Sequence, residues 1–245
     1  MKRSTSKASF DLFAAPAIEI TVQHFRDFGK GYGLLLDVGC GDAYTTSKLR
    51  SPTVRITGID ANETAIRVAR TRLPSGDFLV AEAESLPFPD RTFDHVLAFS
   101  VLQYTMRSRV LSECARVLKS DGTAAFVENL ASSPLARIYR VIHRAMRWSY
   151  PPYQHPISHL KWEDLSLYRE FFDHVRYTPI HLFTPVLLAV PVIKGRLFGT
   201  KLQSPRPEYY RVLSKFDEHC LRWLPSLGRW CWMMVILAAC PSKSN

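Results

Sequence analysis

From Leu34 onward the chain alternates short apolar runs with amphipathic stretches. The runs Leu34–Val38, Arg55–Ile59, Asp77–Ala81, His95–Phe99 and Thr123–Glu128 have the length and near-continuous hydrophobicity of strands buried on both faces. Helical periodicity near 44–50, 62–73 and 107–119 fills most of the gaps between them. Buried strands alternating with helices predict a doubly wound α/β fold, a mostly parallel sheet with helices on both faces. Further strands are expected over 174–183 and 230–239, and the full expectation is a seven-stranded sheet whose last strand runs antiparallel.

Outside that regular stretch the pattern changes. Residues 1–9 are polar and predict no ordered element. Pro16 opens an apolar period through Ile18, Val22, Phe25 and Phe28 that reads as a helix, ended by Gly29, Gly31 and Gly33. Beyond Asn129 comes a basic amphipathic stretch carrying Arg137, Arg140, Arg144 and Arg147, and then YPPYQHP, whose three prolines forbid a helix. Trp162–Phe172 predicts another helix, whereas 184–229 is punctuated by proline and mixed in character. The organisation expected is one domain over 1–245: an N-terminal arm and helix (1–33), a core (34–129), and insertions at 130–160 and 184–229 that follow strands five and six and form a cap.

A chain of 245 residues that is 47% hydrophobic is long enough to bury a substantial core. Its five cysteines are irregularly spaced, with no Cys/His cluster, so neither a disulfide framework nor a metal site is expected, and a reducing, cytoplasmic setting is. No apolar run near the start has signal-peptide length, and none reaches the roughly 20 residues that span a bilayer. The net charge of +10 is uneven, for half of the Lys and Arg but only seven of the 22 acids lie beyond residue 130. An excess of cations suits an anionic substrate, a membrane surface or nucleic acid, or forms a solvated basic face.

The chemistry concentrates in LLLDVGCGDAY, residues 34–44. An apolar strand delivers Asp37 to its carboxyl end, and Gly39 and Gly41 allow a tight turn and close approach to a ligand at the edge where doubly wound folds bind. An acid before the glycines, and no third glycine in the dinucleotide register, suit a cationic sulfonium cofactor better than a pyrophosphate such as that of NAD. Asp60 ends the second strand about 20 residues later, where a carboxylate can accept from both hydroxyls of a ribose; its bland alternative is a charge at a helix N-terminus.

With the third segment, VAEAESLPFPDRTFDHVLAFSVLQY (80–104), the sequence resembles class I S-adenosylmethionine-dependent methyltransferases, in the small-molecule branch that includes the quinone-biosynthesis enzymes. The resemblance covers 34–129 well and the remainder loosely. It implies S-adenosylmethionine as cofactor and S-adenosylhomocysteine as product. It further implies that Asp37, Gly39 and Gly41 hold the methionine portion and that Asp60, followed by Ala61, holds the ribose. Glu82 and Ala83 would contact adenine, and Ser100 would approach the methionine portion. Ala43 stands where the family usually has a third glycine, and Glu82 where Asp is commoner. Phe93 reads as core and Asp94 as a residue that fixes loop geometry.

Methyl transfer from a sulfonium needs alignment of a nucleophile, plus a general base if that nucleophile carries a proton. Candidate bases are Tyr104, His155 and His159; alternatively, Ser158 caps a helix starting at His159 and His155 orders a proline-flanked loop. The apolar, aromatic and basic content of 130–160 and 184–229 points to a small hydrophobic or anionic acceptor, with peripheral contact to a membrane as a further possibility. Two other readings are a methyltransferase fold recruited to a non-methylating role, as a cyclase-type catalyst or partner protein, and an RNA methyltransferase. The second is disfavoured because no stacking-aromatic RNA motif is present, so nucleic acid is not an expected partner.

Overall fold

The computed structural model describes residues 4–28, 33–49, 52–145, 157–187 and 207–241. Seven strands form one sheet: β1 (Gly33–Val38), β2 (Val54–Asp60), β3 (Asp77–Val80), β4 (Phe93–Phe99), β5 (Leu118–Asn129), β6 (Phe172–Ile180) and β7 (Met233–Pro241). Their order is β3-β2-β1-β4-β5-β7-β6. The pairs β3/β2, β2/β1, β1/β4 and β4/β5 are all parallel, and the antiparallel pairing enters with the last strands, as expected. The strand order reverses direction between β1 and β4, which is where an open parallel sheet leaves a crevice beyond its carboxyl ends.

The helices are α1 (Ser4–Phe28), α2 (Thr46–Leu49), α3 (Glu63–Arg72), α4 (Arg107–Val117), α5 (Pro134–Ala145), α6 (Tyr168–Phe171) and α7 (Pro207–Trp223). Asn62 caps α3 by accepting from the Ala65 amide at 3.1 Å, and Ser133 caps α5 by accepting from Ala136 at 3.2 Å. Proline opens both α5 and α7, a position where its missing N–H costs nothing.

Two compact units emerge. The larger comprises 18–129, 153–178 and 235–245. Its core is the central strands, with Leu35, Leu36, Val96, Leu97 and Phe126 essentially without exposure, and Ile66 of α3 and Leu111 and Cys114 of α4 are as fully buried. His95, inside β4, is satisfied by Thr123 Oγ1 at 2.8 Å and lies against Phe25, so it is a core histidine. The smaller unit comprises 1–17, 130–152 and 179–234. At its centre Phe13 stacks on His181 with ring centres 4.0 Å apart and meets Trp232 edge-on, while His181 Nε2 pairs with the Phe13 carbonyl at 2.7 Å. Burial pulls the His181 pKa down to about 4, which keeps the imidazole neutral.

Asp217, buried on α7, is the second anchor of that unit. Its carboxylate accepts from the amides of Leu182, Phe183 and Thr184 at 2.8–3.1 Å and from the Thr184 hydroxyl. One side chain thereby satisfies three successive amides and a hydroxyl of the turn that follows β6.

Three expectations need correction. The N-terminal helix starts at Ser4, with Pro16 inside it rather than at its start. Ala14 and Ala17 are fully buried on either side of the proline, and packing through that position outweighs the roughly 3 kcal/mol that an interior proline costs. The helix expected over 162–172 is a 3-10 turn (Glu163–Leu167) followed by the single turn of α6, and β6 begins at Phe172. The mixed segment 184–229 contains the 17-residue α7. No helix among the described residues is long and apolar enough to cross a membrane.

Asp217→Ala leaves three amides, two of them buried, and a buried hydroxyl without an acceptor. The expected loss is on the order of 3 kcal/mol of unfolding free energy, with a smaller loss for Asp217→Asn, measured by urea denaturation.

Candidate functional site

Parallel pairing brings the carboxyl ends of β1, β2, β3 and β4 to one edge of the sheet, and the residues singled out in the sequence stand along it. Asp37 is the penultimate residue of β1, Asp60 the last of β2, and Glu82 and Ala83 follow β3 by two and three positions. Ser100 directly follows β4.

The turn after β1 is held from the neighbouring strand. Asp60 Oδ2 accepts from the Gly41 amide at 2.9 Å, and Oδ1 accepts from Asn62 at 2.8 Å, so a single carboxylate sets the glycine turn and its own strand-to-helix turn together. Gly39 and Gly41 have φ of +70° and +54°, in the left-handed region. At Gly39 an added Cβ would stand 2.4 Å from the Val101 side chain, which follows β4. At Gly41 it would meet no atom within 4 Å. The first glycine is therefore required by packing and the second opens onto free space, which is the shape needed for a ligand to approach the backbone. Ala43, with φ of +55° and no exposure, holds the same left-handed conformation with a methyl group in place of hydrogen.

Asp37 is buried, and its Oδ2 accepts from the Thr46 hydroxyl at the start of α2. Burial pushes its pKa up to about 7, with the nearby Asp60 charge acting in the same direction and the Thr46 bond against it. Burial and the same acids push the Cys40 thiol well above its ordinary range, so it is an inert core thiol rather than a nucleophile. Glu82 and Ala61 are exposed and Ala83 is partly buried.

The loop bearing Glu82 and Ala83 is fastened to α4. Glu113 accepts from the Leu86 amide at 2.7 Å, and Arg116 donates to the carbonyls of Leu86 and Phe88 and to Asp90 at 2.8–3.0 Å. Glu84 accepts from the Met106 amide just before α4. Asp94, expected to fix a loop, instead ties β4 to the starts of β1 and β5, accepting from the Leu34 amide at 2.8 Å and from Lys119 at 2.7 Å, and Phe93 is core.

A second polar group, absent from the sequence reading, lies beyond β4 and β5. Glu128, fully buried near the end of β5, accepts through Oε1 from the amides of Val101 and Leu102 at 3.1 and 3.0 Å. Its Oε2 has no protein partner, and neither do the buried Tyr168 hydroxyl and Arg107 Nε, whose charge and hydroxyl act on Glu128 and one another. Burial lifts the Glu128 pKa to about 7. Gln103, in the 3-10 turn Leu102–Tyr104, is also buried. It donates through Nε2 to the Ser100 carbonyl at 3.3 Å. Its Oε1 meets Asn129 Nδ2 at 3.3 Å and His159 Nδ1 at 2.8 Å. Asn129 also reaches the Ser100 hydroxyl at 3.5 Å.

His159 and Ser100 are thus brought into one hydrogen-bonded group through Gln103 and Asn129. Ser100 is held at φ +59°. Tyr104 ends the same 3-10 turn, partly buried, and His155 lies outside the described residues. Ser158 caps no helix. Its amide donates to the Gln103 carbonyl at 2.7 Å and its carbonyl accepts from Arg107 at 3.0 Å, which ties the His159 segment to the post-β4 turn. The signal that could have revealed Glu128 is its position, the one acid in an otherwise apolar strand end, TAAFVEN.

Folding raises the Glu128 pKa above its unfolded value. Its protonated form therefore stabilises the native state fully below about pH 4.5, and that contribution is lost as pH rises through about 7. Glu128→Gln keeps the acceptor for both amides and removes the titration. The fall in unfolding free energy between pH 5 and pH 8 should shrink by on the order of 2–3 kcal/mol, and a parallel fall in both proteins would refute the assignment.

Residues 36–126 match a family model described as a methyltransferase domain. Over 96 residues the chain is 41% identical to the demethylmenaquinone methyltransferase of Thermotoga maritima, a match covering 39% of this chain and 42% of that protein. Over 121 residues it is 36% identical to the ubiquinone/menaquinone biosynthesis C-methyltransferase UbiE of Geobacter sulfurreducens, covering 45% of this chain and 46% of that one. The matched region thus spans less than half the length of either relative. The methyltransferase solved in complex with the Haloferax volcanii Trm112 methyltransferase activator aligns over 97% of this chain and 98% of its own, with TM-score 0.56 and 19% identity, a likeness of fold. Residues 36–126 thus match a methyltransferase domain, and this stretch of the chain resembles the S-adenosylmethionine-dependent methyltransferases of quinone biosynthesis.

Proposed function

We propose that the protein binds S-adenosylmethionine at the carboxyl ends of β1–β4 and transfers its methyl group to O, N or C of a small hydrophobic or anionic acceptor. The observation that carries this reading is the Asp60 carboxylate, which holds the Gly41 and Asn62 amides beside the open space at Gly41. The cofactor supplies an activated methyl group on a cationic sulfur. Its ammonium and sulfonium charges suit an edge carrying Asp37, Asp60 and Glu82, where a diphosphate would be repelled.

In this reading the chain's own residues bind and orient. Asp60 accepts from ribose hydroxyls with the lone pairs left over from Gly41 and Asn62, Glu82 and Ala83 border the adenine, and Gly39, Gly41 and Ser100 border the methionine portion. Asp37 sits behind the turn, bound to Thr46. Its elevated pKa makes it a buried acid that a nearby cation would drive toward the carboxylate. His159 is the favoured base for an acceptor that carries a proton. Asn129 Nδ2 donates to Gln103 Oε1, which makes that oxygen the acceptor of the His159 Nδ1–H and leaves Nε2 as the basic nitrogen. The acceptor class rests on composition, since the chain beyond residue 130 is apolar and aromatic with an excess of cations.

Asp60→Ala should weaken S-adenosylmethionine binding by on the order of 1.5–3 kcal/mol in calorimetric titration, and an unchanged affinity would sink the ribose assignment. With an acceptor whose nucleophile is protonated, His159→Ala should lower kcat on the order of a hundredfold while leaving cofactor affinity intact. Equal kcat values for the two proteins across pH 6–8, followed by S-adenosylhomocysteine release, would remove His159 as the base.

A further inference from the structure

The smaller unit carries an apolar surface that the cofactor site does not use. Helix α7 buries one face through Tyr210 and Asp217. On a 100° per residue projection those two side chains lie about 20° apart, and a second apolar stripe formed by Tyr209, Val212, Phe216 and Trp223 is centred about 130° away. This second stripe faces outward: Val212 is 70% exposed, Trp223 72%, Tyr209 59% and Phe216 51%. Leu224, next in the chain, is 57% exposed, and Phe183 packs on Phe216 with ring centres 5.7 Å apart while remaining partly exposed itself. The exposed residues Arg211, Lys215 and Arg222 run along one flank of the stripe, with Glu208 and Glu218 among them. A soluble helix has one apolar face, directed inward, whereas α7 has two.

We infer that this outward stripe is a docking surface for an anionic lipid bilayer, with α7 lying in the plane of the interface. Three features select that occupant. The stripe combines aromatic and aliphatic side chains, with Trp223 at its end, the composition of helices that settle at the boundary between headgroups and acyl chains. The sequence of 184–229 is cationic, with eight Lys and Arg against three acids, one of which is the internally bonded Asp217, and on α7 the exposed Arg211, Lys215 and Arg222 outnumber Glu208 and Glu218. A second copy of the chain is disfavoured by area, for a stripe one helix wide and 17 residues long offers about 250 Å², well short of the ~800 Å² per partner in a stable interface. An anionic membrane meets the charge and needs no complementary protein shape. The inference stands apart from the methyl-transfer reading, because it depends on neither cofactor nor acceptor.

The test is cosedimentation of the full chain with phosphatidylcholine vesicles, with and without phosphatidylglycerol, at low and high salt. Binding to the anionic vesicles, weakened by salt and reduced about tenfold in Phe216→Ser and in Trp223→Ser, is the expected result. Because both side chains are exposed, the variants should melt with the wild-type protein and bind S-adenosylmethionine equally; Val212→Ser, at a third exposed position, serves if either does not. Absence of wild-type binding, equal binding to neutral and anionic vesicles, or undiminished binding of the variants overturns the inference. A dimer seen by sedimentation equilibrium and abolished by the same substitutions also overturns it, assigning the stripe to a second copy.

Discussion

Parallel pairing of β1 with both β2 and β4 is the constraint on which the site depends. In a parallel sheet every carboxyl end points the same way, so a polar residue at the end of any strand arrives at a common edge whatever its place in the chain. Asp37, Asp60, Glu82, Ser100 and Glu128 come from five strands and need no long-range recognition to converge. The remaining task is to hold turns that have no ladder of their own. Carboxylates do this repeatedly: Asp60 binds the turn after β1, Glu128 the turn after β4, and Glu113 the loop after β3.

The same division explains what was legible in the sequence. Strands buried on both faces announce themselves as apolar runs, and β1, β2 and β4 begin and end within a residue or two of where the hydrophobic pattern puts them. The glycine turn was legible because left-handed backbone and close approach leave few alternatives to glycine. Glu128 and Gln103 were not legible, for a buried polar residue is defined by partners distant in sequence: Val101 and Leu102 for the first, Asn129 and His159 for the second. Helix α7 escaped for a different reason. Its apolar residues fall on two faces, so the single-face periodicity that betrays an ordinary amphipathic helix is diluted.

Site positions differ in how much they owe to the fold. Gly39, Ser100 and Asp37 are constrained by packing or by backbone conformation before any ligand is considered. Glu82 and Ala61 are exposed, and nothing in the packing requires those residue types. In the proposed function the fold supplies the frame, and chemical selectivity is left to side chains that the frame does not itself require.

The stack of Phe13 on His181 and the bond from His24 to the Ala238 carbonyl join the first helix to segments that lie at the other end of the chain. During synthesis α1 leaves the ribosome ahead of the sheet, and its partners His181 and Ala238 follow only after β1–β5 have been made. Until those segments are made, α1 lacks the Phe13–His181 stack and the His24–Ala238 bond and keeps the contact of Phe25 with His95 of β4, while β1–β5 already pair with one another. A helix made before the sheet is therefore fully secured only after it, and loss of the segments around His181 and Ala238 would be felt at α1.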